Sequence, residues 1–342
     1  MQAIEITKPG EIRLVSRETP TPKVGEALLK VLYCGICGAD VASYTGNQPF
    51  TTYPRTPGHE FSAQIMEIGE NDRGLRVGDV VTANPYFNCG HCYACARGIV
   101  NACVDNQTMG VQRDGAFQEY ITMPVERIIP GRGLSPKALA LIEPFSISCH
   151  ALSRAAVREG DRVLIMGAGP IGLFALLRAK SLGARVAVAD LLESRLKLAE
   201  SYGADCVIPV KTADLHEKSL AFTEGNGYDV CVEACGAPET FLSCIEEAAH
   251  GANIILIGNG KRETTFVHSV LLKKELNVFG SRNARTADFE TLIDLVAAGG
   301  ADVLKMVSAV YEKEDAAAAF EALTHNDGSL AKVLLRFADA EA

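Results

Sequence analysis

The sequence predicts an α/β protein in which a doubly wound parallel sheet lies between two β-rich chain ends. Three observations carry that expectation. From residue 162 to 279, short apolar runs alternate with helical stretches. Before residue 135, strand-like runs are cut at short intervals by Gly and Pro. The length, 342 residues, suits two domains at roughly 150 residues each.

Taken in order, residues 27–33, 61–68 and 80–83 read as strands of an all-β barrel, punctuated by Gly69 and by Gly78-Asp79. Residues 88–103 read as irregular and organised by cysteines. Residues 162–166 form a short buried strand, 170–182 a helix, 185–189 a second strand and 193–202 a second, amphipathic helix. Strands at 206–208, 229–233 and 253–257 continue the series to 276–279. Apolar strands separated by helices run parallel and are buried on both faces. Beyond them, 288–298 and 315–323 read as helices, with strands at 306–311 and 332–337.

Composition excludes several classes. Apolar residues make up 48% and charged residues 22%, the balance of a soluble globular chain. The net charge is −9 with no Lys/Arg block, so nucleic acid is not an expected partner. The longest apolar run, 163–177, is broken by Gly167, Gly169, Pro170 and Gly172. It falls short of the ~20 unbroken apolar residues of a membrane span. The N-terminus lacks the basic and apolar regions of a secretory signal, and a cytoplasmic protein is expected. In a reducing compartment, eleven cysteines point to metal rather than to disulfides. Six fall between Cys34 and Cys103. Cys149, Cys206, Cys231, Cys235 and Cys244 lie scattered in apolar surroundings and read as small buried hydrophobes.

Gly167-Ala168-Gly169-Pro170-Ile171-Gly172 is a GxGxxG that follows an apolar strand and opens a helix, the context that makes it specific for a dinucleotide. Gly167 permits the tight turn, Gly169 lets backbone approach a pyrophosphate, and Gly172 lets helix and sheet pack closely. Pro170 suits the first helical position. The helix N-terminus then offers N–H groups and partial positive charge to the phosphates. Asp190 ends the next strand, where a carboxylate accepts from a ribose hydroxyl and repels a 2′-phosphate, which favours NAD over NADP. Arg195 lies within reach of the same ribose end.

Two sets of residues have metal-ligand spacing. Cys89, Cys92, Cys95 and Cys103 can close a tetrahedron of thiolates, the pattern of a structural zinc. An iron–sulfur cluster is the runner-up. Cys37 with Gly58-His59-Glu60 offers a Cys/His/carboxylate set with room for water or substrate, the mark of a catalytic zinc. Adjacent His and Glu face opposite sides of a regular strand, so both serve one metal only if the backbone bends, which Gly58 permits.

Together these motifs resemble the zinc-dependent medium-chain alcohol and polyol dehydrogenases. The match also covers Cys34 to Asp40, Asp114 to Tyr120, Glu143-Pro144 and Lys274-Glu275-Leu276, and it runs end to end. The resemblance implies a GroES-like β-barrel catalytic domain at 1–140, with the zinc lobe at 88–104. It implies a Rossmann NAD-binding domain at 141–282 and a return to the catalytic domain at 283–342. It implies two zinc ions per subunit, a homodimer or homotetramer, and Cys37 and His59 as catalytic-zinc ligands. Glu60 matches a third ligand or a close supporting residue. Glu143 matches the carboxylate of the sorbitol-dehydrogenase branch, which ligates zinc or holds its water. The strings at 46–50, 53–55, 142–148 and 280–284 resemble bacterial L-galactonate and L-gulonate 5-dehydrogenases, which oxidise the C5 hydroxyl of a hexonate.

The expected reaction converts CHOH and NAD to C=O and NADH. A carboxylate-bearing substrate needs a cationic anchor, for which Arg55, Arg113 and Arg282 are candidates, with Asn283 beside the last. The sequence departs from the family at the proton relay, where Ala39 and Ala42 replace a hydroxyl and a His. Two other readings stand beside the sugar-acid dehydrogenase. One is a neutral polyol or amino-alcohol dehydrogenase. The other is a zinc- and NAD-binding protein without turnover.

Overall fold

The computed structural model describes residues 1–340. Two compact units emerge. One comprises residues 1–143, 285–326 and 330–340, and the other residues 144–284 and 327–329. The sequence reading set its boundaries after residues 140 and 282 and did not anticipate the short excursion at 327–329.

The chain opens with an antiparallel hairpin, β1 (Gln2–Lys8) and β2 (Glu11–Ser16). It is absent from the sequence reading because β2 is largely exposed and carries no buried face to pattern. Then come β3 (Glu26–Gly35), helix α1 (Gly38–Tyr44), β4 (Glu60–Ile68), β5 (Val80–Ala83) and the two-residue β6 (Tyr86–Phe87). The cysteine lobe holds one turn of helix, α2 (Tyr93–Ala96), and leads to β7 (Gln107–Thr108), which pairs with β6. β8 (Tyr120–Pro124), β9 (Ile128–Pro130) and α3 (Pro136–Leu139) complete the first stretch.

Helix α4 (Ile142–Arg154) leads into the second unit. There β10 (Arg162–Met166), α5 (Pro170–Ser181), β11 (Arg185–Asp190), α6 (Glu193–Ser201) and β12 (Cys206–Pro209) alternate as expected. α7 (Leu215–Thr223), β13 (Tyr228–Glu233), α8 (Pro238–Glu247), β14 (Ala248–Leu256), α9 (Ser269–Lys274) and β15 (Asn277–Gly280) follow. The six strands are all parallel, in the order β12-β11-β10-β13-β14-β15. The order reverses beside β10, and ligands of such sheets bind outside the carboxyl ends of the strands at that point. Leu164, Ala187, Ile208, Cys231 and Ile254, one from each of five strands, lie in one buried cluster.

The chain end returns to the first unit as α10 (Thr286–Ala297), β16 (Val307–Glu312), α11 (Ala316–Thr324) and β17 (Lys332–Arg336). The sheet there runs β16-β17-β3-β4-β5-β9, with β8 also on β3. β17 therefore lies inside the sheet, parallel to β16 and antiparallel to β3. Phe61, Phe117 and Phe320 are fully buried in its core. The rings of Phe117 and Phe320 meet edge to face at 6.1 Å, a favoured aromatic geometry. No helix among the described residues is long and apolar enough to cross a membrane.

Of the five cysteines expected to be buried, Cys149, Cys231 and Cys244 are. Cys206 is half-buried and Cys235 exposed. Cys235 lies in the loop after β13, where its thiol reaches the carbonyl of Met166 at 3.3 Å.

Candidate functional site

Strand register assembles the first constellation. Gly35 at the end of β3 pairs with Glu60 at the start of β4. Cys37, two residues past β3, thereby meets His59, one residue before β4. The ligand atoms of Cys37, His59 and Glu60 lie within 4.8 Å of one another. The bend that brings His and Glu to one side is at Gly58, with φ +97°. A Cβ there would come within 3.0 Å of the Phe117 ring and of Cys34 Sγ, so only glycine fits.

Three residues that the sequence reading did not single out hold this cluster. Asp40, fully buried, accepts from the backbone N–H of Cys37 (2.9 Å) and of Gly58 (3.3 Å). It lies 4.0 Å from His59 Nδ1. Lys332 on β17 donates to Glu60 Oε2 and to the carbonyl of Ile36. The Tyr86 phenol donates to Glu143 Oε1. Asp40 had a legible signal, since an acid three residues past Cys37 marks a helix start. Lys332 had a weaker one, as one of the two charges that bound the apolar strand Lys332–Arg336. A tyrosine after Asn84-Pro85 carries none.

The electrostatics are those of a site that needs a cation. Asp40, Glu60 and Glu143 are each at most 3% exposed. Lys332 is the buried ammonium set against them. Burial pushes the Glu143 carboxyl up to about 7, against the opposing pull of His59. Burial raises the Cys37 thiol. Burial alone would lower His59, but Cys37, Asp40 and Glu143 outweigh it and raise it well above its ordinary value. His59 Nδ1 is buried with no hydrogen-bond partner. A thiolate, an imidazole and excess carboxylate around an unpartnered ring nitrogen fit zinc.

In the lobe, the ligand atoms of Cys89, Cys92, Cys95 and Cys103 also lie within 4.8 Å of one another. Backbone N–H donors of Cys89 and Cys92 point at the sulfurs of Cys103 (3.2 Å) and Cys89 (3.4 Å). Backbone donors of Cys95 and Val104 bring the Cys92 thiol down to about 6, whereas burial takes Cys103 up to about 11. Four thiols without an open position fit a structural zinc. His91 is exposed, and its Nδ1 lies 2.9 Å from the Cys89 carbonyl.

The glycine turn links β10 to α5. A Cβ on Gly172 would strike the carbonyl oxygen of Gly167, and one on Gly169 would meet nothing within 4 Å. The first glycine allows internal packing, and the second keeps space open before the helix N-terminus. Pro170 occupies the first helical turn, followed by Ile171. Asp190 does more than the sequence suggested. Its two oxygens accept from Ala168 N (2.7 Å) and Leu192 N (2.8 Å), so it ties the glycine turn to the next loop. Arg195 stands 3.7 Å from it.

The candidate anion anchors differ. Arg55 is held by Asp114 (3.1 Å) and Thr52 (2.6 Å). Arg113 stacks on the Phe87 ring at 3.7 Å. Phe87 and Tyr86 are neighbours on β6, and alternate residues of a strand face opposite ways, so Arg113 lies behind the strand from Glu143. Arg282 is exposed just after β15, beside Asn283 in the left-handed region at φ 52°. No relay hydroxyl replaces Ala39 and Ala42 from the next turn of α1. Ser43 Oγ donates to the Ala39 carbonyl and Tyr44 donates to Glu321.

Comparison with known proteins agrees with this geometry. Residues 23–133 match the alcohol dehydrogenase GroES-like domain, and residues 170–298 match the zinc-binding dehydrogenase domain. The chain is 36% identical over 337 residues to the L-galactonate-5-dehydrogenase of Escherichia coli K12, covering 98% of this chain and 99% of that protein. It is 33% identical over 343 residues to the sorbitol dehydrogenase of Halalkalibacterium halodurans, covering 98% and 99%. An alcohol dehydrogenase of Escherichia coli CFT073, RspB, solved with NADH, superposes with a TM-score of 0.92 at 33% identity, covering 98% and 99%.

Proposed function

The chain belongs to the zinc-binding alcohol dehydrogenase family, an enzyme family acting on CH–OH groups, and from that premise we propose that its substrate is a hexonate-like sugar acid oxidised at a secondary hydroxyl. The observation that carries the catalytic part is the convergence of Cys37, His59 and Glu60, whose ligand atoms lie within 4.8 Å of one another, with the buried Glu143 acting electrostatically on His59. Cys37, His59 and the carboxylates of Glu60 and Glu143 would hold the catalytic zinc, Glu60 being tied also to Lys332. Zinc, when bound, supplies a Lewis acid that polarises the substrate oxygen. Cys89, Cys92, Cys95 and Cys103 would hold a second, structural zinc. Gly167, Gly169, Pro170, Ile171 and Gly172 would receive the pyrophosphate of NAD, with Asp190 and Arg195 at the ribose. NAD supplies the hydride acceptor.

Glu143 is the titratable group placed to hold the departing proton, since both usual relay positions are methyl groups. Of the cationic anchors, Arg282 is the one we assign to the substrate carboxylate, because it follows β15, the last strand of the parallel sheet, and is exposed there. Asn283 stands next to it. Arginine binds a carboxylate bidentately.

A neutral polyol is the second reading, favoured by the commitment of Arg55 to Asp114 and of Arg113 to the Phe87 ring. NADH formation on a panel of hexonates, polyols and threonine separates the two. Arg282→Ala should raise KM for a hexonate at least tenfold more than for a polyol, about the effect of one charge-assisted hydrogen bond. Equal losses would make Arg282 structural, and no turnover on any CH–OH substrate would leave a non-catalytic zinc- and NAD-binding protein. For assembly we propose a homodimer or homotetramer. The β15 edge of the sheet is exposed, and Val267 and Leu272 near it are 76% and 82% exposed. The lobe needs reduced thiols, which suits the cytoplasm.

A further inference from the structure

We propose that Tyr86 is the positioning residue of the metal centre: its phenol holds Glu143, and only Glu143, in the orientation in which a carboxylate serves a cation beside Cys37 and His59. This rests on the zinc reading above.

The two buried glutamates of the cluster have been given different partners. Glu60 faces the Lys332 ammonium. That pairing cancels the charge of Glu60 and lessens its attraction for a dication. Glu143 faces a neutral phenol. A hydroxyl orients a carboxylate without bringing an opposite formal charge to it. Carboxylates that ligate metals are in turn hydrogen-bonded, and those partners tune the affinity.

The phenol is well placed to act as a fixed reference. Tyr86 is 6% exposed. Its N–H donates to Asn84 Oδ1 at 3.0 Å, and its carbonyl accepts from Arg127 at 2.7 Å. It pairs with Thr108 across the β6–β7 ladder. On the other face of the strand, Phe87 is clamped by Arg113 at 3.7 Å and Arg127 at 4.4 Å. Glu143 is the acceptor end of the phenol's bond. It is the second residue of α4, and a glutamate side chain loses much rotamer freedom when held in one geometry. The bond joins residues 57 apart in sequence, so it registers the start of α4 against the strand that leads into the cysteine lobe.

Tyr86→Phe keeps the ring and removes the donor. Zinc content, zinc release to a chelator and the visible spectrum of the cobalt-substituted protein are measured on the wild type, Tyr86→Phe, Glu143→Gln and the double variant. The wild type should hold two zinc ions per subunit. Tyr86→Phe should lose one of them about 10- to 100-fold more readily, keep the lobe zinc and shift the cobalt spectrum. The double variant should lose zinc no faster than Glu143→Gln alone, since Tyr86 acts through that carboxylate. Wild-type zinc retention with an unchanged cobalt spectrum in Tyr86→Phe would overturn the inference and leave the zinc reading standing. Additive losses in the double variant would also overturn it. A wild type that binds only the lobe zinc would sink the zinc reading and this inference with it.

Discussion

Ala39 lies in the first turn of α1, between the capping Cys37 and the buried Asp40, and it is only partly buried. Ala39→Ser should raise turnover near neutral pH and flatten the pH–rate profile. The gain should stay below the ~100-fold lower end of a full acid–base contribution, because Ala42 cannot continue the relay. A lowered kcat at every pH would show that the proton leaves by another path. Asp190 makes a sharper case. Asp190→Ser should shift preference toward NADP by about 1–3 kcal/mol, the worth of one charged hydrogen bond. It should also lower Tm, because Ala168 and Leu192 lose their acceptor. A variant with unchanged kcat/KM ratios for the two cofactors would remove Asp190 from the ribose. At this scale the cysteines and glycines were legible because spacing alone expresses their chemistry. The partners Asp40, Tyr86 and Lys332 were not named: whatever local signal Asp40 and Lys332 carry, the cluster they serve is assembled only by tertiary register.

Among the elements, the cysteine lobe stands apart. It contains one turn of helix and a two-residue ladder, and no residue of α2 is buried. Such a segment has little core of its own, so on the zinc reading metal binding would supply its folding free energy. Cys95→Ser should therefore lower Tm or dissociate oligomers while kcat of the folded protein stays within a fewfold of wild type. A stable but inactive variant would contradict the division between structural and catalytic metal. The parallel sheet is stapled differently. Arg162 on β10 grips Asp229 on β13 through its backbone N–H, Nε and Nη2 at 2.8, 2.9 and 3.1 Å. Partial burial would raise the Asp229 carboxyl, but Arg162 outweighs it and the net shift is downward. A depressed folded pKa stabilises the protein above the unfolded value and is lost as pH falls through the folded one. The Tm gap between wild type and Asp229→Asn should be full at pH 7 and should narrow below about pH 4. A gap that persists there would mean packing, not charge, is responsible. The alternating strands of this unit were legible because burial on both faces makes them continuous apolar runs. The short ladder β6–β7 and the exposed β2 offered no such pattern.

For the molecule as a whole, the first unit is built from both chain ends, and Lys332 with Glu60 is the fully buried ion pair between them, beside the partly exposed Lys313–Glu119 pair. The Lys332 ammonium is 3% exposed and faces a Glu60 carboxylate that is 1% exposed. Breaking such a pair leaves an uncompensated buried charge and costs about 3–5 kcal/mol. Lys332→Met should lose that much stability in denaturant unfolding, and the double variant with Glu60→Gln should recover part of it. No recovery would mean that the lysine stem, rather than its charge, supports β17. The two-domain α/β plan was legible in the sequence because its middle and its ends differ in hydrophobic period. The seating of β17 between β16 and β3 was not, since nothing local in five residues says which strand they will join.

That seating sets an order in time. Chains are made from the N-terminus at roughly 5–20 residues per second, and domains fold as they emerge. β3, Cys37 and His59 leave the ribosome first, yet the sheet beneath them keeps an open edge until β17 arrives at Lys332–Arg336. The parallel-sheet unit, apart from residues 327–329, is already complete at Ala284. A nascent chain can thus mature its glycine turn before Glu60 receives its ammonium, and the acidic cluster, though made early, is completed late.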